Sequence, residues 1–364
     1  MTRDQDRQDD KQDDRQDDAG LGDAAPDNED LVTEDLDDAG LDDDGPDDEG
    51  GIDVSLADLN KAEWKAALIA QAEAHGMSQE LGPHHLATFI DKKPTLLVTF
   101  ETLQGIRTLS ETAQPFGFDM VKAQGWSHLC VMSNGDTWFR DPAVYGFFDQ
   151  LIDDGFFEDF DRVLFYGAGP CGYAAAAFSV AAPGATVIAV QPQATLTARM
   201  TEWDDRFVEM RRTDFSDRYG YAPDMLDAAD HAFVLYDPRQ PLDAMHATLF
   251  ARSNVSRLRM PFMGGALQTQ LIEMKLLYRL LSLAGAGKLT ERKFHELYRA
   301  RRDHMPYLRN LMAHLDQTER PYLTMMLCRN VTSRMWARRF RRRLDQLEQL
   351  AEEGVFKAPP PPAE

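Results

Sequence analysis

The chain has 364 residues, with 39 Lys and Arg against 61 Asp and Glu and a formal net charge of −22. Residues 1–60 hold 24 acids and 4 bases, whereas the rest is almost balanced at 37 acids and 35 bases. At 43% hydrophobic residues that near-neutral body can bury a sizeable core. Three isolated cysteines (Cys130, Cys171 and Cys328) exclude a disulfide scaffold, and no apolar run approaches the roughly 18 residues of a membrane span. An acidic N-terminus is the reverse of a basic, then apolar secretory signal, so a cytoplasmic protein without membrane contact is expected.

Residues 1–60 are two loose Asp-rich repeats, too charged and too poor in apolar surface to offset ordering entropy, and are expected to be a disordered acidic tail. An amphipathic helix follows over 61–75, carrying Trp64, Leu68 and Ala72 on one face. Then come short apolar runs at 86–90, 95–100, 128–132, 162–166, 186–190, 232–236 and 255–260, most of them separated by helical patterns such as 144–152, 172–182 and 242–251. Buried-type runs alternating with helices predict an α/β domain over 61–265, a mostly parallel sheet covered on both faces. From 266 to 352 only helical patterns remain, and 353–364 is a Pro-rich tail. The helical part is basic: residues 288–343 carry 15 bases and 5 acids, a region the acidic tail could contact. It lacks the interleaved aromatics of a nucleic-acid surface, which argues against that partner.

The most informative stretch runs Arg162-Val163-Leu164-Phe165-Tyr166-Gly167-Ala168-Gly169-Pro170-Cys171-Gly172-Tyr173, then Ala174 to Ala177. It reads as strand, glycine turn and small-residue helix, in which Gly167, Gly169 and Gly172 let the chain turn sharply and open a helix N-terminus toward an anion. Two site types use such a turn. G-x-G-x-x-G in this context is a dinucleotide fingerprint, but the acid expected about 20 residues on is replaced by Gln191-Pro192-Gln193. The nucleophile elbow G-x-S-x-G is the other, with Gly169 standing where the serine belongs.

On Gly172-Tyr173, Ala174 to Ala177, Pro192-Gln193 and the earlier run Leu96-Leu97-Val98-Thr99-Phe100, residues 84–300 resemble a bacterial group of α/β-hydrolase-like proteins linked to surface-polysaccharide genes. Tyr166 to Tyr173 and Thr137-Trp138-Phe139-Arg140-Asp141-Pro142 further resemble an alphaproteobacterial family, α/β-hydrolase-like but nucleophile-less, whose members often carry the name phosphoadenosine phosphosulfate reductase. The resemblance implies a three-layer α/β-hydrolase-like sheet with a helical C-terminal extension. The reductase name would imply a sulfonucleotide-dependent oxidoreductase, yet the chain has neither an S-G-G-K-D-S loop nor an E-C-G-x-H segment, and Cys328 lies in Leu-Cys-Arg-Asn.

A hydrolase triad should continue in the order acid, then histidine. Asp237 follows the run 232–236 and fits the acid, but the loop Pro261-Phe262-Met263-Gly264-Gly265 after the last strand has no histidine. Cys171, at a helix N-terminus, is a candidate thiol nucleophile, with His246 or His231 as its base by chain order. Asp136, Trp138 and Arg140 follow the strand at 128–132, where carboxyl-end loops build sites. His295, His304 and His314 have no metal-ligand spacing, and no metal is expected. The leading expectation is a pseudo-hydrolase whose turn at Gly167–Gly172 binds an anionic or acyl-type ligand or a protein. The alternatives are a nucleotide- or sulfonucleotide-using oxidoreductase on the same turn and a Cys171 thiol enzyme. The cofactor is left open.

Overall fold

A computed structural model describes residues 52–92, 94–358 and 360. The acidic segment up to residue 51, and with it the expected tail contact, lies outside the described residues. Ile52 and Leu56, within the stretch expected to be disordered, are buried against Trp64 and Leu68. Helix α1 (Lys61–His75) starts where Asn60 accepts the N–H groups of Ala62 and Glu63 and the Glu63 carboxylate accepts that of Asn60. This reciprocal cap satisfies N–H groups that the helix itself cannot.

The sheet holds the strands β1 (Gly76–Leu81), β2 (His85–Ile90), β3 (Thr95–Thr102), β4 (Ser127–Ser133), β5 (Arg162–Ala168), β6 (Thr186–Val190), β7 (His231–Tyr236) and β8 (Val255–Arg259). Their spatial order is β1-β2-β4-β3-β5-β6-β7-β8. β2 runs antiparallel to both of its neighbours, and all pairs from β4 to β8 are parallel. The seven apolar runs are thus strands. β1, absent from that reading, is an edge strand with one buried residue in Gly-Met-Ser-Gln-Glu-Leu, so hydrophobicity could not announce it.

Helices α2 (Leu103–Leu109) and α3 (Gly117–Gln124) connect β3 to β4, α4 (Pro142–Asp153) leads to β5, and α5 (Pro170–Phe178) to β6. Two single turns, α6 (Ala198–Thr201) and α7 (Ala222–Met225), lie in the long β6–β7 connection, and α8 (Pro241–Leu249) precedes β8. One face of the sheet is filled by α4 and by α5, which is buried from Cys171 to Phe178. On the other, α9 (Leu267–Glu273), α10 (Leu276–Gly285) and Phe294 of α11 (Glu291–Leu297) pack on Leu164, Tyr166, Ile188 and Leu258. The first C-terminal helices therefore complete the sandwich. The last three, α12 (Met305–Gln317), α13 (Pro321–Arg334) and α14 (Arg338–Glu352), enclose a small core of their own around Met312, Cys328, Phe340 and Leu347. No helix among the described residues is long and apolar enough to cross a membrane.

Candidate functional site

At the carboxyl end of β5 the chain passes through Gly169, at φ 58° and ψ −125°, and enters α5 at Pro170. Glycine adopts that backbone without the Cβ penalty other residues meet. A Cβ on Gly169 would meet nothing within 4 Å, so the apex of the turn opens into space. The flanking glycines serve a different need. A Cβ on Gly167 would lie 2.1 Å from the Cys171 carbonyl oxygen, and one on Gly172 would lie 3.1 Å from both the Gly167 and Val190 oxygens. They are small because the turn brings β5, α5 and β6 into backbone contact.

The loops after β7 and β8 reach the same end of the sheet. Asp237, 1% exposed at the end of β7, accepts the Arg239 N–H on one oxygen and the Gly264 N–H on the other, both at 2.8 Å. An acid thus follows β7 and holds the loop after β8, in which no histidine stands. With this strand order, a strand–turn–helix elbow on β5 and an acid behind β7, the architecture is settled. It is the α/β-hydrolase fold.

The elbow lacks more than the serine. In α/β-hydrolases the residue after the nucleophile gives its N–H to the oxyanion. Here that residue is Pro170, which has none, and the Gly169 N–H donates to the Val190 carbonyl at 2.8 Å. The same two facts weaken the turn as a phosphate cradle, and the sheet order differs from the 3-2-1-4-5-6 of a dinucleotide fold.

Beside the elbow lies a cavity of about 550 Å³, walled by the carboxyl ends of β3 and β5, the 102–116 connection and one side of α9. Cys171 and Asp136 both line it. Cys171 is buried, and burial together with the nearby Glu101 and Asp136 carboxyls pushes its thiol well above the ordinary range. A favoured thiolate was expected from the helix N-terminus. The acids and the apolar surroundings outweigh that dipole.

His246 is not its base. Its Nδ1 accepts the Ala194 N–H at 3.1 Å, so Nε2–H donates to Asp204 at 2.9 Å. Asp204 and Asp243 in turn share Arg206, and the network pins the β6–β7 connection. His231 bonds Ser256 at the opposite end of β7. Trp138 and Arg140 do not line the cavity either. Trp138 is buried against Tyr173, Phe207 and Phe215, and Arg140 donates to the carbonyls of Asp214 and Arg218 while lying over the Tyr145 ring. They lash the β4–α4 loop to the 214–219 segment, so of that motif only Asp136 reaches the cavity.

The strands themselves supply what motif reading missed. Thr99 pairs in register with Cys130 on one side and Tyr166 on the other, so their side chains form one row across β4, β3 and β5. Thr99 donates its hydroxyl proton to Glu101 at 2.8 Å, and His128 Nε2 lies 2.9 Å from the same hydroxyl. With that proton spent, His128 donates from Nε2 and its buried Nδ1 is left without a partner. Burial drives His128 down to about 3 and raises the Glu101 carboxyl, against the donors Thr99, Phe116 N–H and Cys130. Glu101, His128 and Cys130 each offer a ligand atom within 4.8 Å of the others, a mixed O, N, S set with the Thr99 hydroxyl among them. The sequence signal was a glutamate and a histidine inside otherwise apolar strands, each two residues from a second polar or thiol group.

No family model matches the chain, and no curated protein matches it in sequence. Among solved structures, similar ones include the glycosylation-associated protein (Gap123) complex of Streptococcus agalactiae, at 13% identity over 55% of this chain with a TM-score of 0.38; the match takes in only 44% of that chain. A metagenomic thermophilic carboxylesterase, EstE1, matches at 15% identity over 63% of this chain and 97% of its own, with a TM-score of 0.36. The capsule O-acetyltransferase of Neisseria meningitidis serogroup A matches at 12% identity over 56% and 92%, also at 0.36.

Proposed function

We propose that this chain is a non-hydrolytic member of the α/β-hydrolase fold, a pseudo-hydrolase that binds a small molecule in the cavity beside the Gly167–Gly172 turn. The apex of the elbow carries the reading. Gly169 has no side chain to attack with, and Pro170 has no N–H to stabilise an oxyanion. Neither the loop after β8, which has no histidine, nor His246, committed to Asp204 and Ala194, offers a serine there a base. The charge of the cavity also changes the expected ligand. Its charged lining side chains are all acids, so an anionic ligand is disfavoured.

The test is Gly169→Ser assayed on short p-nitrophenyl esters. The open space above the apex admits the hydroxyl, so the variant should fold and hydrolyse no faster than the wild type. Saturable esterase activity in the variant, or in the wild type, would sink the proposal.

A further inference from the structure

We infer that the cavity beside Gly169 receives the ammonium head of a primary amine carried on an apolar body. The inference rests on the binding role proposed above and gives it a ligand class.

Charge comes first. The cavity is lined by Glu101, Glu111, Asp119 and Asp136, with no lysine, arginine or histidine among its lining residues. Lys122, whose charge acts on Asp119, has its Nζ held by Gln114 at 3.0 Å and faces Asp53 at 3.6 Å, outside the lining. Acids alone would be an ordinary solvated rim.

An independent observation points inward. Tyr166 lines the cavity from β5, is 1% exposed, and its hydroxyl has no hydrogen-bond partner. A buried polar group left unpaired is costly, so the bare hydroxyl of a tyrosine that lines a cavity is a group a ligand can satisfy. A phenol oxygen and the carboxyls both accept N–H, and a primary ammonium carries three.

The walls supply the rest. The Phe116 ring lies 5.5 Å from the Tyr166 ring, and aromatic faces attract a cation. Ile106, Leu109 and Ile272 line the same cavity and favour an apolar body over a bare ion. The volume of about 550 Å³ suits a small molecule rather than a macromolecular segment.

The experiment is calorimetric titration of the full chain with three probes of one shape: hexylamine, 1-hexanol and hexanoate. Hexylamine should bind saturably and about tenfold or more tighter than either isostere, since one charge-assisted hydrogen bond is worth about that factor. Tyr166→Phe should weaken hexylamine severalfold and 1-hexanol by less, since only the ammonium makes a charge-assisted bond to the phenol. Asp136→Asn, at an exposed rim position, should do likewise and serves if the buried tyrosine variant fails to fold. Equal or tighter binding of hexanol or hexanoate would overturn the amine class while leaving a small-molecule cavity in place. No binding by any probe would overturn the inference. The non-hydrolytic reading stands or falls separately, on the Gly169→Ser assay.

Discussion

Two cavities of nearly equal size sit at opposite ends of β5. The one at the amino ends of β5 and β6 measures about 560 Å³, and its lining includes Leu151, Arg162 to Leu164 and Ala181 to Thr186. The one beside the elbow measures about 550 Å³. Volume does not separate them; side-chain chemistry does. No residue with a buried unpartnered polar atom among the described residues lines the lower cavity, whereas Tyr166, which carries one, is among those lining the upper. The upper cavity also adjoins the Glu101–Thr99–His128 chain and the open apex of Gly169. In a parallel sheet the carboxyl-end loops are free to vary and carry the chemistry, while the other end mainly closes the layers.

The sharpest way to break this contrast is at the turn itself. Gly167→Ala puts a Cβ against backbone rather than against a movable side chain, and should cost about 4 kcal/mol in urea denaturation. Wild-type stability would mean that the turn relaxes and that its tightness is not required. Gly169→Ala meets no neighbour, so its cost is backbone strain alone, about 2 kcal/mol by the same measurement. A loss as large as that of Gly167→Ala would show that the apex is not open.

His128, near the start of β4 and joined to the upper cavity through Thr99 and Glu101, offers a test by pH. Its folded value of about 3 lies below the ordinary 6.5, so the unfolded chain binds the extra proton and stability falls as pH drops below 6.5. One unit below that value the loss from this residue is about 1.4 kcal/mol. Denaturation midpoints across that range should flatten in His128→Gln. A residual slope is expected from His85 and His246, which burial also lowers. A slope as steep as that of the wild type would remove His128 from the account. The smallest effect is expected at the lower cavity. Glu158→Gln lines it from an exposed position and should shift stability by no more than about 0.5 kcal/mol, with hexylamine titration unchanged. Weakened amine binding there would move the site to the wrong end of the sheet.

Much of the fold was determined by the sequence alone. Runs such as Leu96 to Phe100, broken only by Thr99, and Ala232 to Tyr236 are apolar because both of their faces are covered, and that pattern survives without knowledge of any partner. The turn at Gly167 was legible for the same reason: its glycines answer to local backbone geometry, and local geometry is written in adjacent residues. Asp237 was legible by position, as the acid that follows β7. The site was a different matter. Whether Cys171 meets a base or a carboxyl depends on which strands lie side by side. The order β4-β3-β5 places Thr99 between Cys130 and Tyr166, which are 36 positions apart in the chain. It also puts Glu101 near the thiol, and sends Trp138 and Arg140 away to the 214–219 segment. Ionisation and hydrogen bonding fall off within a few ångströms, so they are settled by neighbours in space, and only the packed tertiary structure chooses those.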